Sequence, residues 1–409
     1  MVGRHRQSEW TQGWSTVLAG FMGMSLLSAY GIMLSLLIKP MNDSLGWARA
    51  EVSLGFLIVM IEQILLVPYC ASLIPRLGPR RIIIVGIIIY LSGIALVALA
   101  PATLLNWYLG WAILGIGAVA ISPLVWTTVI ARTFTRHRGL AFSLALSGSG
   151  LTAMLVPIGG AYMLEAFGWR GPFYMLGLVG LCIMMPILLW LMNVHGAFDR
   201  HSSRDGSQAD SQHPERWSFA LLKEPGVWLL MLAGLLIAAC VGTLMTHTLA
   251  ILRDGGASVT QAAYYYSASG PSLIIGRIVA GILLDRFSTR LVSMVLFLLP
   301  ALSCVLILNF DGSAWIGITA CVFLGLGLGA ESDVLAYLTA KHFGTRRYPF
   351  VYSLAFGSFS LGHGLAVVAA GWVFDMLDSY QLVLYGLIVS VLCAIFAIDR
   401  LERRVIRTA

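Results

Sequence analysis

An all-α membrane protein of twelve transmembrane helices, arranged as two six-helix bundles, is what three features of the chain predict. Its 409 residues are 58% hydrophobic and only 11% charged, with a mean hydropathy of +0.86. That is the composition of a polytopic membrane protein rather than a soluble one. Apolar stretches of about 20–25 residues recur along it, each long enough to cross a bilayer as a helix. The first half also repeats in the second at an offset of 210 residues.

Taken in order, the predicted spans are 15–38, 51–73, 81–100, 104–131, 138–163, 170–194, 225–250, 261–284, 291–309, 314–340, 348–374 and 380–399. One polar segment interrupts them at 196–224, Ser-rich, charged and without periodicity, and it reads as a linker. It divides the chain into a first bundle at 1–195 and a second at 225–409. The first apolar stretch is flanked by Trp10 and Trp14 and runs to full spanning length, so it reads as a span and not as a cleavable signal peptide.

A net charge of +7 could indicate nucleic-acid binding, but the placement of the charges argues against that partner. All but five of the 26 Lys and Arg fall in the two termini and in alternate loops: around Arg76, Arg80 and Arg81, around Arg132 to Arg138, from Arg200 to Lys223, at Arg286 and Arg290, and at Lys341 to Arg347. The opposite loops hold Lys39, Arg49, Arg170 and Arg253. This is the positive-inside pattern, which places both termini in the cytoplasm and the protein in a plasma membrane, the inner membrane of a bacterium. The six cysteines lie in apolar segments without CxxC spacing and read as small core residues, neither disulfides nor metal ligands. No phosphate-binding GxxxxGK[ST] occurs, and no cofactor, metal or catalytic constellation emerges, so neither an ATP-driven pump nor an enzyme is expected.

The repeat pairs Ala71–Arg80 with Gly281–Arg290, and Gly115 and Gly117 with Gly325 and Gly327. A duplicated half-chain split by a linker is the pattern of a two-bundle transporter with its site near the midplane. The glycine sets, including Gly148 and Gly150, read as surfaces where helices approach closely.

Arg277, deep in the eighth span, is the one cation expected at membrane depth. An arginine there costs roughly 2.5–3.5 kcal/mol unless it faces protein or a watery cavity. Its planar fork binds a carboxylate bidentately, so it is either a substrate clamp or half of an internal salt bridge. Glu331 and Asp333, in the tenth span, are the second anomaly. Two positions apart on a helix is about 200° of rotation, so one acid is expected to meet Arg277 or the cavity and the other to pack against a neighbouring helix. Either could carry a proton, or form a structural ion pair. Glu62, mid-way along the second span, is a further proton-handling candidate, or a hydrogen-bonder within its bundle. His247 reads as a gating hydrogen-bonder at the end of the seventh span. His363, between glycines in the eleventh, could complete the site or simply pack. Tyr30, Trp126 and Tyr337 are candidates for an aromatic cavity wall.

At these residues the chain resembles the major facilitator superfamily. Gly281-Ile-Leu-Leu-Asp-Arg-Phe-Ser-Thr-Arg290 is similar to the loop which that superfamily repeats in each half. The resemblance implies a conformational latch at Asp285, with Arg286 and Arg290 as its basic cluster. The first-half copy departs from it, with Ala71 for the glycine and Pro75 for the acid. More narrowly, the chain resembles the monocarboxylate-transporter-like and oxalate/formate-antiporter-like branch. The matching features are Gly46-Trp47-Ala48-Arg49-Ala50-Glu51, Phe134-Thr-Arg-His-Arg-Gly-Leu-Ala141 followed by Ser147-Gly-Ser-Gly150, His247, and Gly276-Arg277. Their order covers most of the chain. The resemblance implies that Arg277 holds the substrate carboxylate and that Asp254 is a proton-coupling candidate. No lysine precedes Lys39, and Ala355 stands about where oxalate carriers have a lysine. One fixed cation in place of two favours a monoanion over a dicarboxylate.

The sequence therefore reads as a monomeric secondary active transporter, alternating access in the bilayer, that moves a small organic anion, a monocarboxylate, together with a proton. The alternative is a proton-coupled carrier of a larger or cationic compound, a siderophore or drug, recognised by Glu331 and Asp333.

Overall fold

The computed structural model describes residues 9–134, 137–194, 198 and 219–408. Eleven helical stretches among them are apolar and long enough to cross a membrane. One of these, Gly139–Val194, is two passes, because the chain doubles back where Gly168 takes φ 65°. The twelve passes are α1 (Glu9–Leu45), α2 (Arg49–Leu77), α3 (Pro79–Leu99), α4 (Leu104–Thr133), α5 (Arg138–Leu146 with Gly148–Phe167), α6 (Gly171–Val179 with Met185–Val194), α7 (Pro225–Asp254), α8 (Val259–Arg286), α9 (Thr289–Leu308), α10 (Ala314–Gly344), α11 (Phe350–Leu377) and α12 (Gln381–Thr408). Each expected span matches a pass, and most passes run a few residues beyond it. Most of the linker expected at 196–224 lies outside the described residues.

The breaks inside passes have local causes. Pro123, at the first helical position after Ser122, restarts α4. A one-turn π-helix, Gly180–Met184, interrupts α6 before Pro186. Gly344, at φ 68°, ends α10 without leaving the helical register recognisable across the turn.

Two cores hold the halves. In the first six passes Tyr90, Trp107, Trp111, Trp126 and Phe173 are buried among Leu and Ile side chains. In the last six, Tyr266, Phe297, Leu324 and Val334 play that part. Leu65, Leu99, Leu105, Trp315, Trp372 and Leu382 form an exposed apolar outer surface, which suits lipid and not water. Two of the six cysteines, Cys182 and Cys393, sit on that surface and not in the core as expected.

Among the described residues, close helix pairs between the halves include α1 with α7, α2 with α11, and α5 with α8. They can approach because glycines stand at the crossings. A Cβ on Gly150 would run into Ile274 and the Gly270 carbonyl, and one on Gly371 into the backbone of Arg49 and Ala50.

Candidate substrate site at the junction of the halves

A cavity of about 200 Å³ lies where α1 and α5 meet α7, α8, α10 and α11. Ser28, Ile32, Ser149 and Ala153 line it from the first half; Met245, Tyr266, Arg277, Glu331, Ser332 and Phe359 are among those lining it from the second. Its wall is mostly apolar with a few polar groups, the usual make-up of a small-molecule site.

Arg277 is placed there by a close crossing of α8 and α10. A Cβ on Gly329 would meet the Arg277 amide at 2.8 Å, and one on Gly276 would meet the backbone of Leu326. Ile275, Ile278 and Ile282 of the same helix face the exposed outer surface, while Arg277 lines the cavity. The guanidinium Nε lies 3.6 Å from Asp333 Oδ2. That is ion-pair distance, too long for a hydrogen bond. Nε and Nη1 are buried and have no hydrogen-bond partner. Glu331, 5% exposed, lies in the same wall, and its Oε2 is likewise buried without a partner. One acid was expected to meet Arg277 or the cavity and the other to pack against a neighbouring helix; instead Asp333 stands at ion-pair distance from Arg277 and Glu331 lines the cavity.

A second charged cluster closes the junction on the side away from the chain ends. Arg49, 2% exposed, donates from Nη1 and Nη2 to the two carboxylate oxygens of Asp254, at 2.7 and 3.2 Å. Lys39 adds a third contact to Asp254 at 2.9 Å. The Arg49 guanidinium also lies 3.5 Å from the Phe374 ring centroid, a cation–π stack. Arg49 Nη1 donates to the Tyr380 hydroxyl at 3.1 Å, and that hydroxyl meets His247 Nδ1 at 2.8 Å. His247 Nε2 faces the Val367 carbonyl at 2.9 Å. A neutral imidazole protonated at Nε2 satisfies both contacts, with the Tyr380 O–H donating to Nδ1. Asp375 accepts from the amides of Arg49 and Ala50 at 2.8 and 2.9 Å, capping the start of α2 from the other half. Nearby, the Tyr162 and Tyr264 hydroxyls meet at 2.7 Å.

A family model described as the Major Facilitator Superfamily matches residues 17–367, and again 248–406. The chain belongs to the major facilitator superfamily. It is a multi-pass membrane transporter of that superfamily. It is similar to the uncharacterized MFS-type transporter YcxA of Bacillus subtilis (strain 168), 24% identical over 389 residues and covering 92% of each chain. It is also similar to monocarboxylate transporter 13 of Bos taurus, 23% identical over 373 residues, or 90% of this chain and 84% of the other. Among solved structures, the nucleoside transporter NupG superposes with a TM-score of 0.76 at 12% identity, over 95% of this chain and 99% of that one. That likeness carries the major facilitator fold and nothing about substrate.

Within this major facilitator fold the remaining candidates fall apart spatially. Asp254 is held by Lys39 and Arg49, not by Arg277. His363 packs between Phe56 and Phe359, with Nε2 buried and unpartnered, so it adjoins the cavity through Phe359 without lining it. Tyr30 packs on Phe56 and Trp111. Trp126 is wholly buried against Gly23 and donates its indole N–H to the Ile121 carbonyl, so it belongs to the first-half core and not to the cavity wall. Tyr337 packs on the second-half core. Glu62 faces Gly115 of α4 with Oε2 unpartnered, away from Arg277. Asp285 and Arg286 are exposed at the end of α8, and Arg290 pairs with Asp399 of α12.

Arg49, expected in a loop between spans, is a second buried cation at the head of α2. Its partner stands 205 positions along the chain, so no local pattern announces the pair; the signal present is the Gly46–Glu51 motif, in which Arg49 follows Trp47-Ala48 at the head of a span. Ser28, Ser149, Tyr266 and Phe359 were also missed, being ordinary helix residues until the halves are brought together.

Proposed function

We propose that this protein is a secondary active transporter of a small organic anion, a monocarboxylate moved with a proton by alternating access. The observation that carries the reading is the position of Arg277, with two guanidinium nitrogens, Nε and Nη1, making no hydrogen bond in the wall of a cavity shared by both halves. A substrate carboxylate is the natural acceptor for such a guanidinium. The name of monocarboxylate transporter 13, a relative over most of the chain, supports the same class.

Asp333 is the proton carrier in this reading. Ionised, it competes for Arg277 at 3.6 Å; protonated, it releases the guanidinium to the incoming carboxylate. Proton and anion then bind together, and by linkage each tightens the other. A cavity of about 200 Å³ lies below the roughly 300–1,000 Å³ of drug-sized sites, which favours a small anion over a siderophore or drug.

The Arg49 cluster is the gate on the side away from the chain ends, and His247 and Asp254 serve it. With basic loops on the side of the chain ends, the positive-inside rule makes that gated side the outer one, so the conformation described is closed outward. The test is uptake by purified protein in liposomes, using a panel of short carboxylates with imposed pH gradients in both directions. Acceleration by a gradient acid on the substrate side supports the reading; indifference to the gradient and to a protonophore contradicts proton coupling.

A further inference from the structure

Arg277 does not use up the polar groups of the cavity. Glu331 sits in the same wall, 5% exposed, with no salt bridge and with Oε2 accepting no hydrogen bond. A buried carboxylate left without a partner is costly, and its natural complement is a cation with N–H donors. The nearby Arg277 guanidinium stands at ion-pair distance from Asp333 and not from Glu331.

Charge balance points the same way. With Asp333 protonated and a simple carboxylate on Arg277, an ionised Glu331 would be a negative charge with no partner in the loaded cavity. A ligand carrying both a carboxylate and an ammonium brings the sum to zero. Ser28, Ser149 and Ser332 line the same space with hydroxyl oxygens that can accept from an ammonium.

We propose that Arg277 and Glu331 form a zwitterion-binding pair and that the substrate is a small 2-amino acid, its carboxylate on Arg277 and its ammonium on Glu331. This rests on the assignment of Arg277 as the carboxylate clamp. The missing amine of a plain monocarboxylate leaves Glu331 buried and unpaired, so matched compounds with and without the amine should differ strongly. Sites built to pair a polar substituent reject the analogue lacking it.

The experiment uses the full-length protein in liposomes and two matched sets: L-alanine, L-lactate and propionate, and L-leucine with 4-methylpentanoate. The expected result is uptake of each amino acid at least about tenfold better than its des-amino match, about 1.4 kcal/mol. Glu331→Gln is expected to bring that ratio towards one, and Glu331→Asp to retain part of it, in protein that stays monodisperse. Preference for propionate or lactate over alanine, with Arg277→Ala abolishing their uptake, overturns the zwitterion and leaves the anion reading standing. Uptake of these compounds that survives Arg277→Ala overturns both. A ratio unmoved by Glu331→Gln removes Glu331 from recognition.

Discussion

Arg49 in the first half and Asp254 in the second are joined by two charge-assisted hydrogen bonds, 2.7 and 3.2 Å long, across the junction of the bundles. Phe374 and Tyr380 cover the guanidinium on its aromatic side while the halves are together. In the proposed alternating cycle, parting the halves would return both groups to solvent, so the pair would belong to one conformation and be lost in the other, which is what a gate requires.

Asp254 is partly exposed and Arg49 is not, so removing the carboxylate leaves a buried cation without its counter-charge. Asp254→Asn is predicted to withdraw the pair's stabilisation from the closed conformation alone. Spin labels at Ser44 and Ser258, both exposed near this gate, should show a distance distribution moved to longer values in the variant. An unchanged distribution contradicts the gate.

Tyr380→Phe is predicted to act in the same direction but less strongly. The hydroxyl bridges Arg49 and His247, and its loss leaves a buried donor and a buried acceptor unmet, at about 1–3 kcal/mol. The same label pair measures it; a shift larger than that of Asp254→Asn would mean that the hydroxyl, and not the ion pair, holds the gate.

Gly329→Ala tests how Arg277 is positioned. The added methyl would sit against the Leu273 carbonyl and the Arg277 amide, and overpacking of this kind costs about 1–3 kcal/mol. The purified variant should melt several degrees lower and lose uptake. Gly357→Ala is the control, since nothing lies within 4 Å of its Cβ position; it should melt no lower than the parent.

Asp333→Asn separates coupling from translocation. The neutral amide mimics the protonated acid beside Arg277, so counterflow should persist while acceleration by a proton gradient disappears. Retained acceleration would move the proton to another group, with Glu62 the next candidate.

The spans were legible because twenty apolar residues leave few alternatives in lipid. Arg277 and the acids stood out for the same reason, as charges in apolar helices. What local pattern could not convey was which helices of the two halves touch. Arg49 sits at the head of a span, where a charge ordinarily meets water, and only the approach of α7, α11 and α12 buries it. Helical geometry set Glu331 and Asp333 on opposite faces, yet Asp333 stands at ion-pair distance from Arg277 and Glu331 lines the same cavity. Trp126 misled in the other direction: an aromatic in a span is equally suited to a cavity wall or a core, and Gly23 on a neighbouring helix decides for the core.

The central claim is that Arg277 holds the substrate's carboxylate, and counterflow of a labelled carboxylate substrate by Arg277→Ala and Arg277→Lys protein in liposomes tests it most directly. Loss of a charge-assisted, bidentate contact should lower transport by about a hundredfold in both variants, with size-exclusion profiles unchanged. Transport at the parental rate by folded Arg277→Ala protein would contradict it.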